Sequence, residues 1–182
     1  MDIYQQKKVL RKEIREIKNT YTLEQKKAIS KDILSRVESL PEFLEAGCIM
    51  AYWSMDDEVY THDLIEKWSR IKQIILPVVK GDQLQLKLFR GEKALKAGEK
   101  FGIPEPTGEL FTDYDEIELV IVPGVAFDRQ NNRMGRGKAY YDQLLKELKA
   151  FKLGICFQFQ LLEKIPHDDL DIKMDLVITN KK

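Results

Sequence analysis

Within the stretch from Pro123 to Asp142, the cations Arg133, Arg136 and Lys138 are interspersed with Gly135 and Gly137. Guanidinium and ammonium groups give charge-assisted hydrogen bonds to phosphate oxygens, and glycine admits backbone conformations and close approaches that a Cβ blocks. The cluster lies between the end of an apolar run, Leu119 to Val122, and a helical pattern that opens near Tyr140. Open α/β sheets place their ligands at such strand ends, and helix amides together with cations suit a polyphosphate. The spacing is not that of the P-loop, because no Gly-Lys-Ser/Thr follows four variable residues after a glycine, nor is it the dinucleotide fingerprint. The residues by themselves mark an anion site of unfamiliar type, against the simpler alternative of a glycine-containing turn with solvated basic side chains.

Other chemistry-bearing residues are sparse. Cys48 and Cys156 each sit among apolar neighbours, as buried reduced thiols do. They have no metal-ligand or nucleophile partners at suitable spacing, and His62 and His167 are likewise isolated. The formal net charge of zero, from 30 Lys+Arg and 30 Asp+Glu, argues against a protein that coats nucleic acid. That balance is a sum of opposed segments: residues 1–36 carry 10 basic and 5 acidic groups, residues 129–152 carry 7 and 2, and residues 105–118 carry 6 acidic groups and no basic ones. A compact basic pocket is compatible with it. No apolar run approaches the roughly 20 residues of a membrane helix, and the N-terminal residues lack a signal-peptide pattern. A cytoplasmic monomer with neither nucleic-acid nor membrane partners is expected.

The elements that must position the cluster follow from periodicity. Ile3, Leu10, Ile14 and Ile17 predict a helix capped by Asp2, with Lys7, Lys8, Arg11, Lys12, Arg15 and Lys18 on the remaining, solvated surface. Thr22 to Gln25 is a capping-box pattern opening a second helix that ends before Pro41. Cys48–Trp53, a helix over 63–71 and Gln73–Val79 form a βαβ unit, and Leu84, Leu86 and Leu88 alternate as in an antiparallel or edge strand. The Gly- and Pro-containing stretch 90–116 reads as a long functional loop. Leu119–Val122 is a buried strand followed by a loop to Lys138 and a helix to about Lys149. Strands over 152–157 and 175–179 complete one domain, residues 1–182, with a mostly parallel central sheet covered on both faces.

Several ordered motifs resemble those of the 5-formyltetrahydrofolate cyclo-ligase family: Val122 to Arg129, Asn132 to Lys138 and Tyr140-Tyr141-Asp142, with Lys7 to Arg11, Ser54 to Glu58, Phe101 to Pro106 and Asp171 to Asp175 in order along nearly the whole chain. The resemblance implies a three-layer α/β domain like that of sugar-phosphate isomerases and CoA transferases. It also implies an ATP- and magnesium-dependent closure of 5-formyltetrahydrofolate to 5,10-methenyltetrahydrofolate. Matching positions assign Lys7, Lys8, Arg11, Arg133, Met134, Gly135, Arg136, Gly137, Lys138, Ala139, Tyr140 and Tyr141 to ATP. Trp53, Glu58, Phe101 and the stretch Arg136 to Tyr140 fall to the folate, Arg136, Lys138 and Glu58 to catalysis, and Asp142 and Asp171 to magnesium. Asp168, Asp169 and Asp175 compete for the second metal position.

The chain departs from the family pattern at Ala139 and Asn131, where glycine is usual, and at Leu170, where histidine is usual. An Ala139 methyl group is harmless at negative φ and costly at positive φ, whereas asparagine tolerates the left-handed region best among non-glycine residues. Competing readings are a phospho-sugar or acyl-CoA enzyme of the same fold, which lacks a clear glutamate nucleophile or histidine base here, and a nucleotide-binding regulator, which has no need of Glu58 and Asp142. RNA binding through the basic helix is the third.

Overall fold

The computed structural model describes residues 1–100 and 102–181. In chain order the helices are α1 (Ile3–Asn19), α2 (Leu23–Glu38), α3 (Pro41–Glu45), α4 (His62–Trp68) and α5 (Tyr140–Leu145). The strands are β1 (Cys48–Met50), β2 (Gln73–Lys80), β3 (Gln83–Leu88), β4 (Leu95–Ala97), β5 (Pro104–Pro106), β6 (Leu110–Phe111), β7 (Leu119–Val122), β8 (Ala126–Asp128), β9 (Arg133–Met134), β10 (Phe151–Ile155), β11 (Leu161–Leu162) and β12 (Leu176–Ile178). Among the described residues no helix is long and apolar enough to cross a membrane.

The main sheet runs β12-β10-β7-β1-β2-β3-β6. Its strands from β12 to β2 are parallel, and β3 and β6 add on antiparallel. Alternation sends Ile49, Ile74, Leu76, Leu119, Ile121 and Leu153 to one face under α2, α3 and α4, where Ile33, Val37, Phe43, Leu64 and Ile65 are fully or almost fully buried. Met50, Ile75, Val120 and Val122 face the other side, against Leu144, Leu145 and Leu148. Both faces are therefore dry, as a parallel sheet requires. The two cysteines lie in this core as free thiols, and burial pushes them up to about 11 (Cys48) and about 12 (Cys156), which leaves them unreactive.

Parallel strands β1, β7 and β10 are adjacent, so the segments that leave their carboxyl ends emerge at one edge of the sheet. These are residues 51–61, 123–139 and 156–175, which carry Glu58, the Arg/Gly cluster and Asp171. Helix α1 packs at this edge through Ile14, which joins Val125, Ala126, Met134 and Ile165 in a small separate core.

Several expectations are corrected. The stretch 90–116 is not one long loop: it contains the β4/β5 ribbon, with Leu95 opposite Pro106 and Ala97 opposite Pro104, and β6 paired to β3. The prolines sit at alternate positions, while the flanking bonds run from Gly98 N to Ile103 O and from Thr107 N to Ala94 O, so no ladder donor is lost. The 123–138 segment holds strands β8 and β9, which form a small sheet with β11. Helix α5 spans only six residues, and α4 ends before Ile71, which is 75% exposed. On α1 the inward face runs through Lys7, Arg11, Ile14 and Lys18, whereas Ile3 and Ile17 are partly exposed, so the cationic stripe and not the full isoleucine stripe is turned toward the protein.

Asn131 and Ala139 are the non-glycine residues with positive φ among those described, at 65° and 57°. Asn131 closes the β8–β9 turn, donating to the Asp128 carbonyl at 3.0 Å and accepting from Met174 N at 2.9 Å. Its side-chain Nδ2 also donates to the Asp175 carbonyl at 3.3 Å, whereas Ala139 has no side chain that could bond in this way. A left-handed L-residue costs about 1–2 kcal/mol, part of which the extra unfolded-state freedom of glycine offsets. Ala139→Gly is accordingly expected to stabilise the fold by about 1 kcal/mol, a rise in Tm of roughly 2–4 °C for a domain of this size, read by thermal denaturation.

Candidate active site

The site is assembled from α1 and the three strand-end segments. Arg11 Nε donates to the Gly135 carbonyl at 2.8 Å, which fastens α1 to the glycine loop. One turn earlier, Lys7 Nζ lies 2.5 Å from Asp171 Oδ2 and 3.0 Å from Asp168 Oδ2. Burial disfavours the Lys7 ammonium, but these two carboxylates outweigh it and hold its pKa above the ordinary value. Asp171 Oδ2 also accepts from Asp168 N at 2.9 Å, so the acidic turn is pre-shaped around the cation.

Arg133 is buried. Its Nε donates to the Pro123 carbonyl at 2.7 Å, its guanidinium lies 5.2 Å from the centre of the Tyr141 ring, and Nη1 is 3.7 Å from Asp142 Oδ1. A Cβ on Gly135 would come within 2.9 Å of Arg133 Nη2, so a side chain there would have to displace the guanidinium. Gly137 adopts φ 102°, closed to most side chains. Met134 is buried in β9 and serves the small core, while Tyr140 and Tyr141 open α5.

Arg136, half-exposed, turns toward the β1 segment: Nη2 donates to both oxygens of Asp57, at 2.8 and 2.9 Å, and lies 3.4 Å from Glu58 Oε1. Asp57 is met from behind by Lys18 at 3.5 Å. Burial would raise Asp57, yet Lys18 and Arg136 hold it below the usual carboxylate range. Glu58 goes the other way. Its burial pushes the carboxyl up despite a 2.8 Å bond from Met55 N and the nearby Arg136. Two adjacent carboxylates are thus driven apart in acidity by their surroundings, as in sites that need one group receptive to protons.

A raised folded-state pKa gives stability that is complete below the ordinary value of 4.5 and is lost as pH rises through the raised value. Glu58→Gln, which cannot ionise, is therefore expected to melt above the parent protein at pH 7, with the difference vanishing near pH 4. Parallel thermal melts at the two pH values check this.

Lys138 is exposed and makes no hydrogen bond or ion pair among the described residues, and Lys8 is exposed in the same way. Trp53 is packed among rings: it is 7% exposed, with its ring stacked 3.8 Å from His62 and 5.8 Å from Phe89. Phe101 lies outside the described residues. Ile172 N donates to Asp142 Oδ1 at 3.1 Å, which brings Asp142 beside Asp171. Asp175 instead accepts from Lys152 N at 2.7 Å and bonds back to the Lys152 carbonyl, so it closes the β10–β12 ladder and drops out of the site. Asp169 makes no hydrogen bond or ion pair among the described residues.

No group of three metal-ligating side chains converges among the described residues. Asp142 is tied through Ile172 N to the residue after Asp171, and carboxylate oxygens, one or two of them, are what magnesium takes from a protein before completing its shell with phosphate oxygens and water.

The family model for 5-formyltetrahydrofolate cyclo-ligase matches residues 3–180. The chain belongs to this family. A probable 5-formyltetrahydrofolate cyclo-ligase of Schizosaccharomyces pombe is 36% identical over 82% of this chain and 83% of its own length. The 5-formyltetrahydrofolate cyclo-ligase of Haemophilus influenzae is 30% identical over 93% and 95%. The NMR structure of Aquifex aeolicus 5,10-methenyltetrahydrofolate synthetase superimposes with a TM-score of 0.86 at 35% identity, covering 97% of this chain and 90% of that one.

The residues that sequence reasoning missed are Lys18 and Asp57, and Asp168, weighed there only as a metal candidate, is a partner of Lys7. The 4-3-4 spacing of Lys7, Arg11, Ile14 and Lys18 puts them on one helical face and could have flagged Lys18. Nothing local marked Asp57 over its neighbours, nor Asp168 as a partner for Lys7.

Proposed function

We propose that this chain converts 5-formyltetrahydrofolate and ATP into 5,10-methenyltetrahydrofolate, ADP and phosphate. What supports the reading is the meeting of Arg136 with Glu58 at one sheet edge, next to the glycine loop that Arg11 fastens, in a chain of this family. A formyl amide is a weak electrophile with a poor leaving group. Attack of its oxygen on the γ-phosphorus of ATP, with ADP leaving, makes that oxygen departable. The lone pair of folate N10 then attacks the activated carbon, N10 gives up its proton, and phosphate leaves with the former formyl oxygen.

Such phosphoryl transfer asks the protein for alignment and charge neutralisation more than for a nucleophile. Lys7, Arg11 and Arg133 orient the nucleotide, and Arg136 and Lys138 face the charge that develops on the transferring group. Glu58, held receptive by burial, accepts a hydrogen bond from the pterin or N10. Asp142 and Asp171 would hold magnesium, which supplies further neutralisation at the phosphate oxygens. Residues 1–182 act as one catalytic unit.

Purified protein given 5-formyltetrahydrofolate, ATP and magnesium is expected to generate the methenyl chromophore, with no product when ATP is omitted. Nucleotide binding without that product would reject the reading and favour a non-catalytic regulator.

A further inference from the structure

Lys18 is not among the residues proposed to hold the nucleotide, yet it is only 4% exposed. Its ion-pair partner among the described residues is Asp57, 3.5 Å away, and burial pulls its pKa down. A buried ammonium costs stability, and a buried ion pair is weak evidence of stabilisation; its best-attested use is to fix a register. The register in question is visible. Asp57 touches Lys18 with Oδ2 and grips Arg136 Nη2 with both oxygens, and the same Nη2 reaches Glu58. Lys18 also shares its helix face with Lys7 and Arg11. The 11 residues from Lys7 to Lys18 span about 16 Å along the axis, so one rigid element touches the acidic turn and glycine loop at one end and the Glu58 segment at the other.

We propose that Lys18 and Asp57 are positioning residues for the folate half of the reaction, setting Arg136 and Glu58 in register with the nucleotide end through α1. The proposal rests on the cyclo-ligase reading above. Neither residue needs to touch substrate. Lys18 fixes Asp57, Asp57 fixes the Arg136 guanidinium, and Arg136 meets Glu58 at the place where the formyl oxygen and the γ-phosphate must come together. A displacement of about 1 Å at such a place is enough for a large rate loss.

The test is steady-state kinetics on Lys18→Met, Lys18→Arg and Asp57→Asn, each with its thermal melt. Lys18→Met and Asp57→Asn are expected to raise KM for 5-formyltetrahydrofolate about tenfold and lower kcat about tenfold, with KM for ATP changed less than about threefold. Lys18→Arg is expected to recover at least part of both losses. Tm of Lys18→Met is expected to stay or rise, since a buried charge is removed while Asp57 keeps Arg136. Unchanged kinetic constants in both variants would overturn the proposal, as would an equal rise in both KM values, and a Lys18 serving only the fold would lower Tm and leave the split absent. Asp57, whose side chain is 39% exposed, keeps the test usable should the Lys18 variant fail to fold. If the parent protein makes no methenyl product, the cyclo-ligase reading fails; if it does and the variants match it, only the positioning role fails.

Discussion

Lys138→Ala is expected to lower kcat/KM about a thousandfold, about 4 kcal/mol of transition-state stabilisation, with Tm unchanged. The two halves of that expectation have separate grounds. Lys138 is exposed and unpartnered among the described residues, so truncation leaves no buried group unsatisfied and creates no cavity. Its neighbours Gly137 and Ala139, at φ 102° and 57°, hold the backbone in conformations that most residues avoid, and these fix where residue 138 is presented. A side chain so held, with nothing to hold in return, suits a ligand's charge. Stopped-assay rates at saturating and limiting ATP, beside a melt, measure both halves. A rate within threefold of the parent would remove Lys138 from the phosphate site.

Asp142 gives a different pattern. Its carboxylate accepts from Ile172 N and is the anion facing buried Arg133, whose side chain is 5% exposed. Asp142→Asn keeps an acceptor for Ile172 but loses the charge, and is expected to lower turnover at least about a hundredfold and to shift its magnesium requirement upward, since one of two carboxylates is gone. Both variants deprive buried Arg133 of its ion-pair carboxylate, and Asp142→Ala in addition leaves Ile172 N without its acceptor. The expected cost is about 3 kcal/mol, a fall in Tm of roughly 6–12 °C for a chain of this length. Activity titrations against magnesium separate the variants: high magnesium restores part of the asparagine enzyme's rate but does not restore the alanine enzyme's Tm. Full activity of Asp142→Asn at ordinary magnesium would show that the ion, if held, is held elsewhere.

Much of the architecture was legible because its signals are local. Leu119 to Val122 and Gln73 to Val79 read as buried strands from apolar content alone, and Thr22 to Gln25 carried its helix start in four residues. The Arg133 to Asp142 segment was legible for its density of cations and glycines. What stayed hidden depends on partners far along the chain. Strands of two or three residues, such as β8, β9 and β11, are too short to show a period. Pro104 and Pro106 disguised β5, since a proline inside a strand is tolerated only where its missing N–H falls on an unbonded position. Lys18 resembled the solvated residues beside it, because its burial is decided by Asp57, 39 residues away. The acidic run 168–175 offered several metal candidates, and only the pairing of β10 with β12 takes Asp175 out of contention.

The ion pairs of Lys7 with Asp168 and Asp171 join residues 161 and 164 positions apart. Lys7 is therefore made long before Asp168 and Asp171, and these contacts close only once the intervening strands have been made. A nascent chain can form its strands progressively yet stay inactive until the final segment docks. Contacts of such sequence separation carry the loop-closure cost of the whole intervening chain, so their formation reports that α1 and the 156–175 segment have found each other.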